Sequence, residues 1–148
     1  MKKLRVYIEN SVIGGYFDTI FEDATRKLFE KFRSGEYLAV ISTHSYGELN
    51  NGAPDKVKLI LETISYEKVI VSDAMLNLTQ KYMDEKTVSE QYRSDALYIA
   101  VATVSNVDVL VSWNFKHIVN LNRIKIFNSI NLKEGYHILE IRTPLEVL

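Results

Sequence analysis

Four side chains with oxygen donors stand where the chain changes direction. Glu9 follows the apolar run Leu4 to Ile8, and Glu48 lies in the polar stretch after Tyr37 to Ser42. Asp95 opens the helical pattern that begins near Ser94, and Asn114 follows the apolar run Val107 to Val111. Carboxylates crowded together without a cation repel and raise one another's pKa, so such a group is either solvated or shares a metal. Donors that are all oxygen suit Mg²⁺ or Mn²⁺ rather than zinc. A site of that kind serves phosphoryl chemistry. The chain has no cysteine, which excludes disulfides and thiolate metal sites, and its three histidines are far apart in sequence.

Whether the four residues meet depends on the elements that carry them. Leu4 to Ile8 reads as a strand, and Asn10 or Ser11 can cap a turn of helix that Gly14 and Gly15 break. Leu28, Phe29 and Phe32 recur at helical spacing between charges, predicting an amphipathic helix over 22–33. Tyr37 to Ser42 is the second strand, followed by a helix capped by Thr43 or Ser45 that reaches Asn50 and carries Glu48. Pro54 suits the first turn of the next helix, to about Ile64. Lys68 to Val71 is the third strand, and Ser72 or Asp73 caps a helix to about Glu85. Ser94 is the expected N-cap of an Ala-rich helix that Asn106 stops, and the β-branched run 107–111 is the fourth strand. Ile124 to Phe127 and His137 to Ile141 are two further candidate strands.

Strands alternating with helices predict an α/β fold with a mainly parallel sheet and helices on both faces. In such a sheet the strand ends and the starts of the following helices share one edge, where ligands bind. Glu9, Glu48, Asp95 and Asn114 are then expected at that edge. Any one of these acids taken alone is better explained as structural, by capping at a helix start; their convergence is what points to a site.

At 148 residues the chain reads as a single domain over 1–148, long enough to bury roughly 68–70% of its unfolded surface. A net charge of −1 gives no overall basic signature, so a nucleic-acid site would have to be local. No apolar run approaches a membrane span and no signal-peptide pattern opens the chain, so a cytoplasmic location is expected. Gly14-Gly15 lacks the Lys-Ser/Thr ending of a phosphate loop and reads as a turn. His44 and His117 read as surface or capping residues ahead of acid–base groups, and Trp113 and Phe115 as core aromatics ahead of base-stacking ones.

Four segments together carry a resemblance. VYIENSVIGGYFD at 6–18, ISTHSYGEL around Glu48, SDALYIAVA at 94–102 and VLVSWNFKHI at 109–118 resemble the PIN domain, in particular the VapC-like toxin nucleases of toxin–antitoxin pairs. The resemblance runs in order from about residue 5 to 130. It implies a three-layer α/β/α domain and an endoribonuclease dependent on Mg²⁺ or Mn²⁺. Glu9, Glu48, Asp95 and Asn114 fall on the family's catalytic and metal-binding positions, and Ser11 and Ser112 match the small hydroxyl residues that support them. An RNA substrate, a homodimer and a small antitoxin partner are implied as well. The chain departs from the family at Glu9, one methylene longer than the usual Asp, at neutral Asn114, and at Tyr98, where a His is common. A weakly active or inactive PIN-like domain that binds RNA or protein is the alternative reading.

Overall fold

A computed structural model describes residues 2–148. Five strands are β1 (Leu4–Ile8), β2 (Tyr37–Ser42), β3 (Tyr66–Val69), β4 (Val109–Val111) and β5 (Ile141–Arg142). The helices are α1 (Asn10–Gly15), α2 (Glu22–Arg33), α3 (Thr43–Asn50), α4 (Asp55–Leu61), α5 (Asp73–Asp84), α6 (Arg93–Val104) and α7 (Leu121–Lys133). The strands form one sheet in the order β3-β2-β1-β4-β5, and every pairing is parallel. The three-layer α/β/α arrangement expected from the alternating pattern is therefore present.

Period-2 alternation along the strands feeds two separate cores. Tyr7, Val40, Leu110 and Ile141 pack with residues of α5, α6 and α7 on one face. Val6, Ile8, Ala39, Ile41, Val109 and Val111 pack with residues of α1 to α4 on the other. Val6, Tyr7 and Ile8 are completely buried, each worth about 1.5–3 kcal/mol of hydrophobic transfer. That anchorage lets the central strand carry a charge at its very end.

Connections leave β1 toward β2 on one side and return to β4 on the other, so the strand order reverses between β1 and β4. Ile8 pairs with Val111, which sets Glu9 beside Ser112, and Glu9 N–H donates to Val111 O at 3.1 Å. In open α/β sheets the carboxyl ends of the strands at such a switch point are where ligands bind.

Several expectations need correction. Ile124 to Phe127 is not a strand but the middle of α7, where Phe127 and Ile130 turn inward and Asn120 caps the start. Of His137 to Ile141, only Ile141 enters the sheet, with Arg142, because the short edge pairing reaches no further. The third strand ends at Val69, since β2 runs out of partners at Ser42 and Ile70 is left exposed. Val107 is outside β4; its N–H closes the end of α6 on Ala102 O, after Asn106 takes the expected left-handed conformation at φ 53°. Ser94 is not the cap of α6: the helix begins at Arg93, and the Ser94 hydroxyl is engaged elsewhere.

Candidate functional site

The end of β1 is closed by its own carboxylate. Glu9 is the N-cap of α1, and its Oε2 accepts from Ser11 N–H at 2.9 Å. Its Oε1 accepts from Ser11 Oγ at 2.5 Å and from Ser112 Oγ at 2.6 Å. Only 7% of Glu9 is exposed, and three donors satisfy the charge that burial would otherwise penalise. The two serines are themselves fixed, because Ser11 Oγ accepts from Trp113 N–H and Ser112 Oγ from Asn114 N–H, each at 2.9 Å.

Glu48 arrives from β2. Ser42 caps α3 in a reciprocal capping box with Ser45, and this fixes the angle at which α3 leaves the sheet. Glu48 then meets two hydroxyls from α6: Ser94 Oγ donates to Oε2 and Tyr98 Oη to Oε1, both at 2.5 Å. His44, one turn earlier on α3, lies 2.8 Å from Ser94 Oγ through its Nε2. Burial lowers the His44 pKa. Burial, and after it the carboxylate it donates to, hold the Tyr98 hydroxyl above the usual phenol range, so it stays a donor.

Asp95 sits in the first turn of α6 between the two. Its carboxyl is pushed up to about 6, first by burial, then by the charge of Glu9, with Glu48 adding less and the Asn114 side chain opposing the rise. Asn114 uses its Oδ1 on its own loop, accepting from Lys116 N–H at 3.2 Å and His117 N–H at 3.0 Å.

The edge therefore gathers Glu9, Glu48, Asp95 and Asn114 with Ser11 and Ser112. It does not close them into a cage: among the described residues no three His, Cys, Asp or Glu side chains are grouped as a metal-holding set. The reason is visible in the hydrogen bonds, which turn Glu9 and Glu48 onto neighbouring hydroxyls. By its chemistry the donor set nevertheless suits a hard divalent cation: all its donors are oxygens, and the charges of Glu9 and Glu48 add to burial in raising Asp95.

Sequence reasoning noted Tyr98 only as a departure from the His common in the resembled family, gave Ser94 only a capping role and read His44 as a surface or capping residue. The available signal was the spacing of Ser94 and Tyr98, four residues apart on the face of α6 that brackets Asp95. The two aromatics of the exit loop part company. Trp113 is buried, stacks on Phe21 at 4.4 Å between centroids and donates Nε1–H to Thr25 Oγ1 at 3.0 Å. Phe115 stays 51% exposed. His117 is buried with its ring 3.8 Å from that of Tyr92, centroid to centroid.

No family model matches this sequence, and no curated protein does. Three chains of solved structures match it. One belongs to the crystal structure of VapBC2 from Rickettsia felis bound to a DNA fragment from their promoter. It superimposes with a TM-score of 0.61 at 16% identity, over 95% of this chain and 98% of that one. The likeness is one of fold. Among the described residues no helix is long and apolar enough to cross a membrane.

Proposed function

We propose that this chain is a metal-dependent ribonuclease of the PIN type, akin to the toxins of toxin–antitoxin pairs, hydrolysing RNA phosphodiesters at the crevice between β1 and β4. The observation that carries the reading is Asp95, a carboxyl whose pKa is raised to about 6 by burial and by Glu9 and Glu48, at the edge where an α/β sheet binds ligands. The fold likeness to a toxin–antitoxin complex supports it.

In this reading Glu9, Glu48 and Asp95 hold Mg²⁺ or Mn²⁺, and Asn114 assists by favouring the charged form of Asp95. Such an ion, when bound, polarises a phosphodiester oxygen and makes water a better nucleophile at neutral pH. The chain's own work is to position. Ser11 and Ser112 donate to Glu9 within a buried cap, and Ser94 and Tyr98 donate to Glu48. Phe115 presents an open ring directly after Asn114, on which a single-stranded base can stack. A homodimer, a small antitoxin partner and a cytoplasmic location belong to the same proposal.

The test is cleavage of a labelled single-stranded RNA with Mn²⁺ or Mg²⁺, against chelator and against Asp95→Asn. Metal-dependent cleavage that Asp95→Asn loses supports the enzyme. A second reading is a catalytically weak or inactive domain that binds RNA or protein; the hydroxyl-engaged Glu9 and Glu48 favour it. RNA retained on the protein without any cleavage in either metal would establish that one instead.

A further inference from the structure

Two neighbours in the loop after β4 lean to opposite faces of the sheet. Phe115 lies 6.2 Å, centroid to centroid, from both Phe21 and Trp113, which belong to the core shared with α1 to α4. Lys116 sends its Nζ to 5.8 Å from the Tyr92 ring, which packs on the core shared with α5 to α7. The loop therefore crosses the carboxyl edge of the sheet at Asn114, with a ring on one side of it and an ammonium on the other.

Local hydrogen bonds hold this loop in one shape. Asn114 Oδ1 accepts from the N–H groups of Lys116 and His117, and Asn114 O accepts from those of Ile118 and Val119 at 3.2 and 2.8 Å. Tyr92 is fixed in turn by the His117 ring 3.8 Å away. Phe115 and Lys116 are thus presented on backbone that needs little further ordering, which lowers the cost of binding through them.

Neither group is used up by the fold. The Phe115 ring stays 51% exposed, and among the described residues no carboxylate pairs with Lys116. An ammonium has three hydrogens to donate and no acceptor to satisfy. A second cation stands close by: burial, then the charges of Arg123 and Lys116, keep the His117 pKa below its usual value. Arg123 donates to Thr87 O and has further N–H groups to spare. In a chain whose net charge is −1, this is a local basic surface beside the acids. A half-exposed ring next to an unpaired ammonium complements the two parts of a single strand, its base faces and its phosphates.

We propose that Phe115 and Lys116 form a clamp on single-stranded RNA, with a base on the ring and a backbone phosphate on the ammonium, so that the strand lies across the edge at Asn114. The inference rests on the RNA-cleaving reading given above and names contacts outside its acids.

The experiment is fluorescence anisotropy of a short labelled oligouridine, titrated in chelator over a range of salt. Lys116→Gln should lower the slope of log affinity against log salt by about 0.7, the share of one single-strand phosphate, and weaken binding about fourfold near 0.15 M salt. Phe115→Leu should weaken binding by the same factor at every salt concentration and leave the slope alone. Lys3→Gln, at an exposed lysine before β1 on the opposite edge, should match wild type. An unchanged slope in Lys116→Gln overturns the clamp, and an equal fall in Lys3→Gln does so too, by showing a diffuse field. Polyglutamate that competes as well as the RNA would make Lys116 a contact for acidic protein, which also overturns it. Wild type that neither binds the strand nor cleaves it with Mn²⁺ overturns the RNA-cleaving reading and the clamp together. Cleavage by wild type with a slope that Lys116→Gln leaves intact overturns the clamp alone.

Discussion

Ser112 Oγ donates to Glu9 Oε1 at 2.6 Å, joining the end of β4 to the end of β1 across the crevice. The acceptor is a buried carboxylate, so losing this donor costs more than losing a neutral bond. Ser112→Ala should destabilise the fold by about 1.5–3 kcal/mol, the range for hydrogen bonds to charged groups. Urea denaturation reads this directly, and a loss below about 0.5 kcal/mol, ordinary for surface changes, would mean that Ser11 satisfies Glu9 unaided.

Asp95 titrates near 6 in the folded chain against an ordinary 3.8, with burial the largest cause and Glu9 next. A carboxyl raised in the folded state contributes its stability fully below the unfolded value and loses it as pH rises through the folded one. Without metal, wild type should therefore lose stability relative to Asp95→Asn as pH rises from about 4 to about 6, and the gap should then stay level. Urea midpoints of the two proteins across that window test the sign. Glu9→Gln should also bring the Asp95 titration down, as carboxyl-carbon NMR can follow.

Gly14 and Gly15 are neighbours in α1 with opposite tolerance. A Cβ on Gly15 would lie 2.8 Å from Trp113 Nε1 and 3.0 Å from Thr25 Oγ1, whereas one on Gly14 meets nothing within 4 Å. Gly15→Ala should cost about 1–3 kcal/mol by overpacking. Gly14→Ala should gain roughly 0.5–1 kcal/mol from helix propensity. Thermal melts of the pair settle it, and similar changes in both would refute the close approach of Trp113.

Phe115 is the exposed aromatic beside the site. If it stacks on a base, Phe115→Ala should weaken single-stranded RNA binding by about 1–3 kcal/mol, and Phe115→Trp should restore it. Fluorescence anisotropy with a labelled oligonucleotide in chelator reads binding apart from cleavage. Unchanged affinity would leave the ring without a substrate role.

Much of the fold was legible in order along the chain. Strand runs such as Leu4 to Ile8 and Tyr37 to Ser42 are apolar and short, and helix 22–33 shows its period, so these elements lie where the pattern put them. The alternation of the two also implied a parallel sheet, and with it a shared edge for Glu9, Glu48, Asp95 and Asn114. The failures were local ambiguities. Ile124 to Phe127 is too short a run to separate strand from helix, and only the packing of Phe127 and Ile130 against the sheet made it α7.

Sequence alone determined which residue types arrive at the edge: oxygen donors without cysteine, and a chain whose charge of −1 leaves any nucleic-acid contact to a local surface. Tertiary structure decided what each donor faces. Ser94 reads as a helix cap and Tyr98 only as a departure from a common His until α3 and α6 dock, after which both donate to a carboxylate 46 and 50 residues away. Ser112 meets Glu9 across 103 residues because β1 and β4 are neighbours in the sheet. Trp113 stacks flat on Phe21 and donates to Thr25 beneath the sheet edge, whereas Phe115 meets Phe21 only at a tilt, 6.2 Å between centroids, and stays half exposed. Periodicity and capping are short-range and can be read from neighbours in sequence. The partner that satisfies a hydroxyl or fixes a carboxylate is chosen by strand order and helix docking, and those come from burial summed over the whole chain.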